Sequence, residues 1–471
     1  TLFPACDTGA LLIDMNGGEV KLWSKLKGFP NKLLPGGNVL GHRGERDMRY
    51  GYQDDVDLVE VDWDGNIVWK FDHLELIEDP GEEPQWMARQ KADYQREGNP
   101  VGYYVPGMEP YTDHGNTLIL CHRNVTNPDI SLIPLIDDAI VEVDWEGNIL
   151  WEWHANEHFT EMGFSEIAKN ALFRNPNMHD NGGGMGDWMH INSMSLLGPN
   201  KWYDGGDERF APDNIIWDGR EGNVCAIIDR RSGKIVWQMG PDYAVTKEWR
   251  RIGQIIGQHH VHMIPRGLPG EGNILMYDNG GWAGYGNPNT NSRIGLKVTH
   301  RDYSRVLEIN PVTLQIVWQY TPKEAGLMVP FNSNHLYSPL ISGAQRLPNG
   351  NTFITVGMDG RLIEVTRDCE LVWEYISPYF YNAYPSLNEV YRAYRYPYDY
   401  VPQLEKPEEV AIEPIDITNF RVPGAKPKGA QNVTEVPGAW DYPMVATDSF
   451  CVQADDGPVE DDEDDDDTLK F

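Results

Sequence analysis

Three of the thirteen histidines of this chain stand within four residues, in the sequence Gly-Gln-His-His-Val-His-Met at positions 257–263. Histidine is a common metal ligand and can act as a base or nucleophile near neutral pH. In an extended strand His260 and His262 share one face, and His259 lies on the other. The pair, with His190 as a third ligand, would suit Cu²⁺ or Zn²⁺. His259 faces a different surface.

Two other stretches carry unusual polar residues just ahead of a recurrent turn. Residues 187–193 read Asp-Trp-Met-His-Ile-Asn-Ser, and residues 331–337 read Phe-Asn-Ser-Asn-His-Leu-Tyr. If the chain is a radial repeat, matching positions of successive units converge on its axis. His190, His259 and His335 are therefore predicted to share one pocket.

An arginine joins this set, because Arg305 begins the outer hairpin of the same repeat unit that carries the histidine-rich stretch. A guanidinium offers a fixed fork of donors to an oxyanion. Its positive charge also lowers the pKa of a nearby imidazole, which keeps the ring neutral and nucleophilic. These groups suit the transfer of a charged oxyanionic group such as sulfuryl. The residues predicted to line the substrate pocket beside them are Asn192, Gln258, Asn334 and Tyr337.

One phrase recurs along the chain and predicts the elements that hold these residues. It reads Glu-Val-Asp-Trp-Asp-Gly-Asn-Ile-Val-Trp at 60–69, and nearly the same at 142–151. Alternating strands around an Asp-Gly turn indicate a β-hairpin. Six copies occur, each closing on a tryptophan predicted to pack between sheets: Trp23, Trp69, Trp151, Trp237, Trp318 and Trp373.

A second phrase, of the type Leu-Pro-x-Gly-Asn followed by a strand, precedes most of these hairpins. Four strands repeated six times predict an all-β fold, a six-bladed β-propeller at residues 1–377. We expect a Tyr/Pro-rich segment at 378–450 to pack on it, followed by an acidic tail at 451–471. Long insertions are predicted at 74–110, 155–186, 202–222, 241–256 and 278–303.

The net charge of −33 makes nucleic acids and anionic membranes poor partners. Ten acidic residues lie at 455–467, in a segment predicted to be a solvated tail, with weak calcium collection or partner docking as the alternative. The sequence contains no run of 18 apolar residues, so no membrane span is predicted. The five cysteines form no Cys-x-x-Cys motif, which argues against a cysteine zinc site.

Together, several of these motifs resemble the bacterial arylsulfate sulfotransferase family. The resemblance covers roughly residues 1–400 and rests on the stretches at 187–193, 257–259, 304–308 and 342–351, and on the repeated hairpin. It implies sulfuryl transfer from a phenyl sulfate to another phenol, without a nucleotide donor or a required cofactor. It further implies export to the periplasm or exterior, which agrees with a start at Thr1 if a leader is removed.

By motif, the resemblance assigns His190, His259 and Arg305 to the sulfuryl oxygens and His335 to the nucleophile that becomes sulfated. Two alternatives stay open. One is a metal-dependent enzyme acting on phenolic or sulfur compounds through His260 and His262. The other is a non-catalytic binding or structural propeller, to which the acidic tail and long insertions also point. A homo-oligomer is compatible with all three, and the glycine-rich stretch 178–184, with His179, is predicted to lie at the pocket mouth.

Overall fold

The computed structural model describes residues 1–47, 49–51, 53–177, 186–287, 295–382 and 386–411, and these form a six-bladed β-propeller, as the repeats predict. Each blade is an antiparallel sheet whose strands follow one another in chain order. Apolar side chains fill the spaces between neighbouring sheets. Between blades 4 and 5, for example, Ile227 and Met239 belong to one buried cluster with Val261 and Met276.

Besides their own strands, the first three blades carry one additional hairpin, β8–β9, between blades 2 and 3. Blade 1 contains β1 (Leu2–Ala5), β2 (Gly9–Ile13) and β3 (Glu19–Ser24). Blade 2 contains β4 (Lys27–Leu33), β5 (Val39–His42), β6 (Leu58–Val61) and β7 (Ile67–Phe71). The hairpin β8 (Glu75–Ile77) and β9 (Gln85–Met87) follows. Blade 3 contains β10 (Gln90–Arg96), β11 (Thr117–Val125), β12 (Leu135–Val143) and β13 (Ile149–His154).

The other three blades have four strands each. Blade 4 contains β14 (Ile191–Leu196), β15 (Ile215–Gly219), β16 (Val224–Ile228) and β17 (Ile235–Met239). Blade 5 contains β18 (His259–Met263), β19 (Ile274–Asp278), β22 (Arg305–Ile309) and β23 (Ile316–Tyr320), with the hairpin β20 (Ala283–Tyr285) and β21 (Leu296–Thr299) inserted. Blade 6 contains β24 (Gly343–Arg346), β25 (Thr352–Val356), β26 (Arg361–Val365) and β27 (Leu371–Ile376).

A ring of tryptophans joins each blade to the next. Each indole N–H donates to a backbone oxygen in the outer turn of the following blade, at 2.8–3.0 Å. In blade 3 the donor is Trp153, two residues beyond the predicted Trp151. The six donors, in blade order, are Trp23, Trp69, Trp153, Trp237, Trp318 and Trp373. The repeated tryptophans therefore fix the distance between neighbouring blades and also fill the space between them.

The ring closes where the two ends of the described chain meet. Leu2 of β1 and Tyr394 exchange backbone N–H···O bonds of 2.8 and 2.9 Å. The segment around Tyr394 therefore takes the innermost place in blade 1, which contains only three strands of its own. The propeller thus includes residues beyond 377, the end expected from the repeats, because its closing strand comes from the Tyr/Pro-rich segment.

The insertions contain the helices α1 (Glu166–Arg174), α2 (Lys201–Asp204) and α3 (Lys247–Ile252) and the two extra hairpins. Two of the predicted insertions also contain blade strands. Residues 74–110 include β10, and residues 202–222 include β15. Among the described residues, no helix has both the length and the apolar character to cross a membrane. The acidic tail and the stretch 178–184 lie outside the described residues.

Candidate active site

A cavity of about 400 Å³ opens where the first blades, blade 6 and the C-terminal segment meet. Its aromatic lining comes from Phe29, Tyr381 and Tyr391. Charged side chains line it as well: Lys27, Glu45, Arg46, Asp54, Asp55 and Glu389. A space of this size accepts a small aromatic molecule, which the rings can stack on and the polar groups can orient.

His259 lies directly behind one wall of this cavity, as the first residue of β18. Its Nδ1–H donates to Asn279 Oδ1 at 2.7 Å, and its Nε2 accepts the backbone N–H of Ile341, a cavity residue, at 3.1 Å. Burial and the nearby charge of Arg220 hold the pKa of His259 well below its ordinary value. The ring is therefore a neutral imidazole in a fixed tautomer.

His190 occupies a strained backbone position just before β14, with φ at 51°. Its Nδ1–H donates to the buried Asp187 carboxylate at 2.5 Å. Burial is the largest influence on the pKa of His190 and lowers it, and the charges of Lys91 and Arg220 act in the same direction against Asp187. A carboxylate that accepts from Nδ1 orients the ring and makes Nε2 the basic nitrogen.

Arg220, which sequence reasoning did not single out, lies beside both histidines. Its backbone N–H donates to His190 O at 3.1 Å, and its Cγ lies 3.9 Å from where a β-carbon on Gly257 would stand. The side chain is nine-tenths buried and pairs with Glu221, while its Nε has no hydrogen-bond partner among the described residues. The comparison of turn phrases missed it because Arg220 follows β15, the second strand of its blade.

Arg305 was predicted to serve the pocket, but its guanidinium is already paired. Its Nε donates to Asp278 Oδ2 at 2.7 Å, and Arg301 binds the other oxygen of that carboxylate at 2.9 Å. A further contact of Arg305 goes to the backbone oxygen of Gln254. Described hydrogen bonds therefore tie Arg305 to the second strand of blade 5 and to the preceding loop, and not to His190 or His259.

His335 lies on the surface, in the short 3-10 helix Ser333–Leu336. The side chains of His335 and Asn334 are exposed, and Tyr337 is partly buried. Burial raises the pKa of Asp359, and Arg361 and His335 act against this increase, which places His335 near that carboxylate. In the described part of the chain, no hydrogen bond or ring contact joins His335 to His190, His259 or Arg305.

Asn192 and Gln258, which lie next to His190 and His259 in the chain, connect the inner strands of blades 4 and 5. Asn192 Nδ2 donates to Gln258 O at 3.0 Å. Gln258 Nε2 donates in turn to the backbone oxygens of Gly219 and Val224. Their amides thus hold the strands that carry His190 and His259 at a fixed separation. Asn192 and Gln258 were predicted to line the substrate pocket. The hydrogen bonds described for their side chains go to other groups of the protein.

His260 and His262 lie farther along β18, packed in an aromatic and charged cluster. His262 Nε2 accepts the Tyr103 hydroxyl at 2.9 Å, and its Nδ1–H donates to His260 O at 3.0 Å. His260 Nδ1 accepts the Ala344 N–H at 3.2 Å, and its other nitrogen lies 3.5 Å from the Tyr394 hydroxyl. All four ring nitrogens therefore have protein partners, so a metal would have to displace them.

The same cluster continues through buried ion pairs across the axis. Asp93 lies 2.6 Å from Lys32 Nζ and 3.1 Å from Arg392, whose guanidinium also contacts the Tyr394 hydroxyl. We call this set of residues the axial plug. It comes from the inner strands of blades 2, 3 and 5, from the insertion that follows β10 and from the C-terminal segment. Its members are Lys32, Asp93, Tyr103, His260, His262, Arg392 and Tyr394.

One group of three adjacent metal-type donors occurs elsewhere in the described residues: His122, Asp138 and Asp187. The ammonium of Lys91 lies 2.9 Å from Asp138, and nearby carboxylates raise its pKa although burial opposes this. A protonated lysine therefore already supplies positive charge to these carboxylates. The group supports His190 through Asp187 and is not the His260–His262 metal site considered from the sequence.

The fold is a six-bladed propeller in which His190, His259 and Arg220 lie close together where blades 4 and 5 meet. The Arylsulfotransferase (ASST) family model matches residues 110–374, more than half of the chain. The protein therefore belongs to the arylsulfotransferase family, as its motifs predict. No curated protein sequence matches the chain significantly.

Among solved structures, a protein of unknown function from Bacteroides caccae is 11% identical, with a TM-score of 0.41, over 83% of this chain and 96% of its own. Virginiamycin B lyase from Staphylococcus aureus is 10% identical, with a TM-score of 0.29, over 74% and 83%. Saccharomyces cerevisiae Sqt1 is 10% identical, with a TM-score of 0.29, over 77% and 72%. These similarities are too weak to bear on the reaction.

Proposed function

We propose that this protein transfers a sulfuryl group from an aryl sulfate to a phenolic acceptor at the site formed by Arg220, His190 and His259. The observation that carries the proposal is the buried guanidinium of Arg220, with one donor unpaired, beside two imidazoles of lowered pKa. Family membership supports the general reaction, and the cavity offers aromatic walls for a phenol.

The sulfuryl oxygens need donors that are fixed before the reaction begins. A guanidinium in a site shielded from water binds an oxyanion strongly and needs little rearrangement as charge develops. Glu221 holds the Arg220 side chain in place. Arg305 is the weaker candidate for this role because its described hydrogen bonds go to Asp278 and Gln254 and none joins it to His190 or His259.

His190 is the nucleophile that the geometry favours. Its Nε2 lone pair attacks sulfur, the bond from sulfur to the aryl oxygen breaks, and a phenolate departs. The sulfated ring carries a positive charge, which the Asp187 carboxylate at Nδ1 stabilises. The oxygen of a second phenol then attacks sulfur while its hydroxyl proton passes to a base or to solvent, the N–S bond breaks, and neutral His190 is restored.

The sequence instead pointed to His335, so the experiment compares the two residues. Wild type, His190→Ala and His335→Ala are mixed with 4-nitrophenyl sulfate and phenol, and nitrophenol release is followed. We expect His190→Ala to lose about 10³-fold or more of the rate, and His335→Ala to change it little. Mass spectrometry of peptides quenched without acceptor should find one added sulfuryl group on the peptide containing His190.

The opposite pattern, with loss only in His335→Ala, would return the nucleophile to the residue predicted from the motif. Absence of nitrophenol release by wild type would contradict sulfuryl transfer itself. The roles of Asn334 and Tyr337, export from the cytoplasm, a homo-oligomer, and bound calcium or transition metal stay predictions of the sequence.

A further inference from the structure

Lys91 is a fully buried lysine on the inner strand of blade 3, β10. Its Nζ donates to Asp138 Oδ1 at 2.9 Å, and Asp138 is fully buried as well. The other oxygen of Asp138 accepts the backbone N–H of Ile191 at 2.9 Å. Because Ile191 directly follows His190 in the chain, two hydrogen bonds connect the Lys91 ammonium to the backbone beside that histidine.

The backbone at His190 needs this support. Its φ of 51° lies in the left-handed region, which is unfavourable for a residue with a β-carbon and persists only where the surroundings fix it. The peptide group between His190 and Ile191 is held at both ends, since its N–H donates to Asp138 and its oxygen accepts the N–H of Arg220. The ring is held separately by the Asp187 carboxylate at 2.5 Å. Two buried carboxylates therefore fix His190, one through its backbone and one through its ring.

These two carboxylates lie close together. Ligand-type atoms of Asp138, Asp187 and His122 all lie within 4.8 Å of one another, and the three side chains are buried. Carboxylates at this separation repel each other, so both stay ionised only if a positive charge lies nearby. In the part of the chain that the structure describes, Lys91 is the one lysine or arginine that forms an ion pair with either of them.

The charge of Lys91 acts on the ring of His190 as well. Burial is the largest influence on the pKa of His190 and lowers it, Asp187 raises it, and Lys91 and Arg220 lower it. Burial raises the pKa of Asp187, but the charges of His190 and Lys91 outweigh burial and keep that carboxylate ionised. Burial lowers the pKa of Lys91, but the surrounding carboxylates raise it above its ordinary value, so the ammonium is charged. The other titratable groups around the ring are His122 from β11, Asp138 from β12 and His259 from β18.

We propose that Lys91 is a positioning residue for sulfuryl transfer, whose ammonium balances the Asp138–Asp187 carboxylate pair and so holds His190 in place with Nε2 unprotonated. A neutral ring offers the lone pair that attacks sulfur, whereas a protonated ring has none. Lys91 acts through the two carboxylates and does not touch the reacting atoms. The inference rests on the proposed function and adds to it the group that keeps the nucleophile available.

The titration of His190 tests this role without turnover. The protein is prepared with ¹³C-labelled histidine, and the imidazole signal that is missing from His190→Gln identifies His190. Its protonation is followed by NMR from about pH 8 to pH 5. Lys91→Met removes a positive neighbour and should raise the pKa of His190, whereas Asp138→Asn removes a negative neighbour and should lower it. The same His190 pKa in wild type and in both variants would overturn the proposal.

The pH profile of transfer provides the second readout. At neutral pH, Lys91→Met should release nitrophenol from 4-nitrophenyl sulfate about 10–100-fold more slowly than wild type, the range typical of groups that orient a ligating histidine. A raised pKa keeps His190 protonated at neutral pH and lets the ring become neutral at higher pH, so the deficit should shrink as pH rises. A deficit that stays constant with pH would mean that Lys91 serves the fold alone.

Lys32→Met is the matched control. Lys32 is a second buried lysine held by a carboxylate, with Nζ 2.6 Å from Asp93, but it belongs to the axial plug. Both substitutions leave a buried carboxylate without its ammonium, so both should lower the free energy of unfolding. Only Lys91→Met should change the His190 titration and the pH profile. Equal changes in the two variants would contradict a specific role for Lys91.

Activity and titration separate this inference from the proposed function. Wild type that releases no nitrophenol would contradict sulfuryl transfer, whereas the titration would still show whether Lys91 sets the charge of His190. Normal release by wild type, together with an unchanged His190 titration in Lys91→Met, would leave transfer standing and remove Lys91 from it.

Discussion

The axial plug and the proposed site where blades 4 and 5 meet contain the same kinds of residue in different surroundings. In the axial plug, Arg392 contacts Asp93, Tyr394 and the backbone oxygen of Asn192. In the proposed site, Arg220 pairs only with Glu221 among the side chains that the structure describes. Both guanidiniums leave Nε without a described partner, so they differ in the number of their oxygen partners, three for Arg392 and one for Arg220. A buried guanidinium with several partners specifies packing, whereas one with a single partner keeps donors for a ligand.

The histidines of β18 show this contrast within one strand. His259 lies behind the cavity wall and positions the backbone of Ile341. Three residues later, His262 packs against Tyr103 inside the plug. The side chains are identical, and the neighbours brought by other blades decide which of them lies beside the cavity wall and which lies in the plug.

The largest effect that would test the plug follows from Asp93→Asn. This change leaves Lys32 and Arg392, both buried, without their shared anion. Removing one partner of a buried ion pair typically costs about 3–5 kcal/mol, so the free energy of unfolding in urea should fall by about that amount. Asp64→Asn on the surface should leave it unchanged. A loss of nitrophenol release without a loss of stability would assign Asp93 to the site instead.

For the proposed site, the corresponding change is Arg220→Gln. Loss of a preorganised oxyanion donor should lower kcat/KM for aryl sulfates by about 10²–10³-fold, and loss of the partner of buried Glu221 should also lower the free energy of unfolding. Arg305→Gln is the informative comparison, because it should lower stability more than activity through its partner Asp278. Steady-state kinetics and urea unfolding of both variants would reveal a reversed pattern, which would restore Arg305 to the site.

A smaller effect is expected from Tyr103→Phe. The substitution removes the hydroxyl that His262 Nε2 accepts and leaves a buried acceptor unsatisfied. Such a change costs about 1–3 kcal/mol in the free energy of unfolding. Thermal or urea unfolding gives the loss, and KM for 4-nitrophenyl sulfate should stay constant. An altered KM would show that the plug communicates with the cavity.

The pH dependence of stability should reveal the neutral histidines. Burial lowers the pKa of His262 to about 4, and the unfolded chain binds the same proton near 6.5. As pH falls below about 6.5 the unfolded state therefore takes up more protons, and stability drops by about 1.4 kcal/mol per pH unit for each such histidine. Urea unfolding from pH 7.5 to 4.5 should show a shallower slope for His262→Gln. An unchanged slope would mean that His262 is already protonated when folded.

Local patterns were enough to predict the blades. Strand alternation, Asp-Gly turns and a tryptophan at a constant distance are short-range signals, and all six hairpins appear as the two outermost strands of their sheets. The inner strands were harder to predict. Residues 90–96 read as part of an insertion although they form β10, because a long stretch separates them from the turn phrase at 114–116 and polar residues such as Lys91 and Asp93 mask the alternation.

For the site, the sequence predicted that the histidines at 190 and 259 matter, since matching repeat positions converge on an axis. It did not predict Arg220 or Asn279, which blade packing and not spacing in the chain brings to these histidines. It also could not show that His335 is exposed, because a short stretch before a strand has no pattern that fixes its direction.

The sequence by itself determined the architecture, the number of blades and the family, because each depends on signals repeated within about a dozen residues. Tertiary structure decided which polar residues pair with one another and which lie in the proposed site. Pairing of Tyr394 with Leu2 places Arg392 at the axis, and the meeting of blades 4 and 5 places Arg220 beside two neutral imidazoles. The physical reason is that burial and charge partners set both pKa and availability, and these partners come from strands distant in the chain.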